Sequence, residues 1–135
     1  MPRDIDRNAF PLLVAAKQRV GQEDADLIAL PLLAWLDAAK RGQCTGTGCN
    51  HLTTHLIIAS YLAARTKSKA FHTLVTRAYD QLRKAAERPT HLLDLTTGEY
   101  QSLRLAFSWY LRALPQIEVG MLNEACTAAH KMMGA

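Results

Sequence analysis

Cysteine is scarce in this 135-residue chain, with three in all, too few for the paired framework that holds small secreted domains together. Five prolines and seven glycines are likewise too few for a loop-rich scaffold. No strongly apolar stretch exceeds eight or nine residues, whereas a membrane-spanning helix needs about 20. The opening Met-Pro-Arg-Asp-Ile-Asp-Arg mixes acids with bases before a short apolar run at 9–16, unlike the charged, then apolar, then small-residue order of a secretory leader. These absences lead us to expect a cytoplasmic protein. Repeats, low-complexity tracts and linkers are also missing, so residues 1–135 read as one domain. No paired-carboxylate motif is visible, and Ser60, Ser102 and Ser108 sit in no nucleophile motif. The expectation is therefore a binding protein rather than an enzyme.

What the chain does have is an uneven distribution of charge. The net charge is +4. Residues 1–41 carry six bases and six acids, and residues 42–64 carry no Asp, Glu, Lys or Arg. Residues 65–88 carry seven bases against Asp80 and Glu87, and residues 89–135 carry three bases and four acids. One segment thus holds the basic excess, directly after a segment with no charge.

Apolar residues recur at three- and four-residue spacing without a clear alternating run, which predicts an all-α bundle of five or six helices. The first is expected from about Asn8 to Arg19, with Pro11 in its opening turn. The second starts at the acids Glu23, Asp24 and Asp26 and ends at Lys40-Arg41-Gly42, with Pro31 expected to kink or split it. The third, capped by Asn50 and reaching about Arg65, is uncharged and apolar nearly all round, the pattern of a helix buried at the centre of a bundle. The fourth runs from about Ser68 to Arg88 and stops at Pro89. Thr96 and Glu99 have capping-box spacing and start a fifth that reaches about Ala113. Pro115 opens a sixth, to about Met133, weakened at Gly120.

Three constellations carry candidate chemistry. Cys44, Cys49, His51 and His55 lie within twelve residues. The two histidines are one helical turn apart, so the four are candidate nitrogen and sulfur ligands for zinc. Thr45-Gly46-Thr47-Gly48 precedes a helix, and with Arg41 it is a candidate anion cradle through Arg41, Thr47 and Gly48. The third is the 68–88 helix. Phe71, Leu74, Val75, Ala78, Leu82 and Ala85 share one arc of it, and Lys69, Arg77, Lys84 and Arg88 lie on the other.

On the 96–113 helix Leu105 and Trp109 fall off the main apolar stripe, so that helix is either central or exposes a patch, which would be a partner surface. We therefore expect a non-enzymatic protein that contacts nucleic acid or an acidic protein partner through Lys69, Arg77, Lys84, Arg88, Leu105 and Trp109. It is expected to act as a homodimer without a cofactor. The competing expectation is a metal- or anion-binding helical protein, a small metalloenzyme or sensor, built at residues 41–55.

Overall fold

The structure, a computed structural model, describes residues 17–134. Among them are five α-helices and no strand: α1 (Gly21–Lys40), α2 (Gly46–Thr66), α3 (Lys69–Glu87), α4 (Thr97–Ala113) and α5 (Val119–Met132). A single 3-10 turn, Leu114–Gln116, links the last two. The all-α expectation holds. The helix expected over 8–19 lies outside the described residues except at its end, where Arg19 already pairs with Glu118 as an isolated bridge.

Helix ends follow local chemistry. Gly21 and Gly42 flank α1 with φ of +81° and +70°, conformations that favour glycine. Ser68 caps α3 by accepting the Phe71 N–H, and the preceding Lys67 turns the chain with φ of +58°. At α4 the capping box is complete: Thr96 Oγ1 accepts from the Glu99 N–H, and the Glu99 carboxylate accepts from the Thr96 N–H at 2.9 Å.

Three boundaries differ from the expectation. α1 runs unbroken through Pro31. α2 begins at Gly46, capped by Thr45 rather than Asn50. Its glycines continue the helix because Gly48 gives the Trp35 indole direct access to the backbone; a Cβ there would collide with that ring and with Cys44 Sγ. Finally, the chain turns at Pro115 and enters α5 only at Val119.

The core is one contiguous cluster. α2 supplies Leu52, Leu56, Ile57, Ile58, Ala59, Leu62 and Ala63 to it and packs against each of the other four helices. A helix whose one charge is Arg65 in its last turn still carries polar groups, and α2 satisfies some of them internally. Thr53 and Thr54 donate to the carbonyls one turn back, both at 2.8 Å. The most extensively packed helix pair is α3 with α4; α3 buries Phe71, Val75, Ala78 and Leu82, and α4 buries Leu103, Ala106, Phe107 and Tyr110.

Candidate functional site

The α3–α4 pair also presents most of the residues singled out for partner contact. Their buried arcs face the core, so the opposite arc of α3 must face water. Lys69, Arg77 and Lys84 are exposed. Leu105 and Trp109 of α4 are 47% and 36% exposed, and the Trp109 ring lies against Phe71 with centroids 6.4 Å apart. Arg77 and Leu105 line a common recess of about 160 Å³ with Leu74, Gly98, Gln101 and Ser102. Of the apolar and cationic candidates, Arg77 and Leu105 are thereby brought together.

The basic arc is smaller than its sequence. Arg83 and Lys84 both bind Asp80, at 2.9 and 3.2 Å. Arg88, also expected to contact a partner, is engaged within the chain. Its guanidinium grips Glu99 through two bonds of 2.8 and 2.7 Å and donates also to the Asp94 carbonyl. Glu99 is buried, 7% exposed. The Arg88 bonds, with help from Thr96, hold its carboxyl down at about 2 although burial opposes this. Among the described residues Lys69 and Arg77 have no intramolecular acid within ion-pair distance.

The loop before α2 does not form the expected sites. Among the described residues no three His, Cys, Asp or Glu side chains group closely enough to hold a metal ion, so Cys44, Cys49, His51 and His55 do not converge. Cys44 is fully buried against Gly48, and its carbonyl accepts from Leu93 N–H at 2.8 Å. Burial, and to a lesser degree Cys49, pushes its thiol up to about 11. Burial raises Cys49 as well. Neither thiol resembles the low-pKa, electropositive cysteines that bind metals or react.

The residues of the expected anion cradle make other contacts. Gly48 is covered by Trp35, and its N–H donates to Thr45. Arg41 turns away to Asp37 at 3.0 Å, and Thr47 is left alone on the surface.

The histidines do form a cluster, with a partner that sequence spacing does not reveal. The His51 and His55 rings lie against each other at a tilt of 50°, with centroids 4.7 Å apart. His55 Nδ1 and the hydroxyl of Tyr110, a fully buried residue of α4, share a hydrogen bond of 2.9 Å. Burial, reinforced by His51, lowers His55 to about 4. Burial lowers His51 too, and the buried His51 Nε2 has no partner. Burial raises the Tyr110 hydroxyl well above its ordinary value. The cluster is thus held neutral near pH 7, and among the described residues no acidic side chain bonds to it to make a proton relay. His72 and His130 are exposed, and Cys126 packs half-buried against the core.

No described helix is long and apolar enough to cross a membrane. Comparison with protein-family models, curated proteins and solved structures finds no match for the chain.

Proposed function

We propose that the chain is a non-catalytic interaction module whose α3–α4 face docks an acidic, partly apolar segment of a protein partner. The observation that supports this reading is the shared recess of Arg77 and Leu105, with the Trp109 ring exposed on the same helix as Leu105. A cation beside apolar surface suits a side chain pattern of acids interleaved with leucine or aromatic residues. Nucleic acid is the less favoured partner. Its affinity rests on neutralising many phosphates, and here Arg83, Lys84 and Arg88 are already engaged with Asp80 and Glu99.

The test uses a labelled acidic amphipathic peptide and a labelled DNA duplex, each titrated with the full chain at increasing salt. The expected result is saturable peptide binding, weakened at least roughly tenfold by Arg77→Glu and by Leu105→Ser, with little duplex binding. Duplex binding that is steeply salt-dependent and indifferent to Leu105→Ser would transfer the face to nucleic acid. If neither probe binds, the interaction reading is wrong.

A further inference from the structure

The outward side of α1 carries a second, separate surface. Along that helix Glu23, Leu27, Leu30, Ala34, Asp37 and Arg41 follow one another at alternating four- and three-residue steps, and all six are exposed. This is the spacing of a coiled-coil seam. The true core face of the helix is the opposite one, through Ala25, Leu32, Leu36 and Ala39. Leu27 and Leu30 are 64% and 70% exposed, and Leu33 beside them is 46% exposed. Such leucines at helical spacing on an open face mark an interaction surface.

The ends of the seam say what covers it. Its middle is apolar, its first turn carries Glu23 and Asp24, and its far end carries Lys40 and Arg41 together with Asp37, which bonds to Arg41 at 3.0 Å. A two-fold axis across the middle sets each residue against its mirror position. Glu23 then meets the Arg41–Asp37 pair of the second copy, Leu27 meets Asp37, and Leu30 meets the small Ala34. A parallel pairing would instead set acid on acid. The antiparallel arrangement also opposes the two helix dipoles favourably.

We propose that α1 is a homotypic interface, on which a second copy of this chain docks its own α1 antiparallel across a two-fold axis. The seam is about 27 Å long at the ordinary helical rise, and it closes on itself, as a two-fold contact must. It uses none of the α3–α4 residues, so the two readings stand or fall separately.

The experiment is sedimentation velocity of the full chain over a wide concentration range. Wild type is expected to dimerise. Leu30→Glu, at a position that contributes nothing to the core, is expected to raise the dimer dissociation constant by at least roughly tenfold while far-UV circular dichroism stays unchanged. Leu27→Glu is expected to act alike. Glu23→Arg is expected to weaken the dimer roughly two- to fivefold, and Glu23→Arg combined with Arg41→Glu to restore it.

A wild type that stays monomeric throughout overturns the proposal. A dimer indifferent to Leu30→Glu also overturns it. Loss of the dimer without rescue by the paired reversal overturns the antiparallel arrangement.

Discussion

Lowering the pH from neutral to 4.5 should destabilise this protein through one histidine. His55 is an ordinary histidine in the unfolded chain, titrating near 6.5, but in the fold burial and its neighbour His51 hold it at about 4. Between those values the unfolded chain binds a proton that the native state refuses. Stability is therefore complete above about 6.5, falls as the pH drops through the window, and levels off below about 4. Each unit of difference corresponds to about 1.4 kcal/mol, so His55 alone accounts for about 2–3 kcal/mol of loss by pH 4.5.

The structural reason is specific. A protonated imidazole has two donors and no acceptor, so Nδ1 could only donate to the Tyr110 hydroxyl, and the charge would sit in a buried site with no acid to offset it. His51 moves in the same direction and steepens the fall. Urea unfolding followed by tryptophan fluorescence, at pH steps from 7.5 to 4.5, measures the effect. In His55→Gln the fall over that range should be shallower by about 2 kcal/mol, because the variant has lost the titrating group. Parallel stability curves for wild type and His55→Gln would refute the argument, as would an NMR titration placing His55 above 6.

Three further outcomes are expected. Glu99→Gln should cost about 1–2 kcal/mol at pH 7, discounted for the solvent that reaches Arg88. Because the Glu99 carboxyl is depressed, that stability should be present above about 4.5 and vanish as the pH falls toward 2, measured by thermal unfolding of both proteins. Gly48→Ala should destabilise by about 2 kcal/mol or more through overpacking against Trp35 and Cys44; the check is a urea melt, with Trp35→Leu relieving part of the loss. Cys44 should resist alkylation in the native protein at pH 7.5 and react once urea exposes it, since its buried thiol sits near 11; mass spectrometry of the labelled peptide reads the difference.

Periodicity made the helices legible because each one buries an arc. Phe71, Val75, Ala78, Leu82 and Ala85 are buried on α3 as their spacing requires, and the Thr96–Glu99 box starts α4 where expected. The start of α2 was not legible. Two glycines and two threonines favour a turn on propensity, and only the Trp35 indole, eleven or more residues away in sequence, makes a helical backbone without side chains the better solution.

Surface residues were legible as to face but not as to engagement. Lys69, Arg77, Leu105 and Trp109 lie outside, yet nothing in the spacing of Arg88 shows that Glu99 holds it from across a loop. The four-residue interval of His51 and His55 suggested ligands. Their surroundings are set by Tyr110, fifty-five residues away, and no local pattern reports a contact of that range. The α1 seam, in contrast, was readable from its alternating steps once the opposite arc was known to be the core face.

The grip of Arg88 on Glu99 also ties two helices into one unit of opening. Arg88 ends α3, Glu99 lies in the first turn of α4, and the intervening loop is drawn in through the Asp94 carbonyl. Amide protons at the tail of α3 and the head of α4 should consequently exchange with solvent at a common rate, the two segments unzipping together rather than fraying one by one.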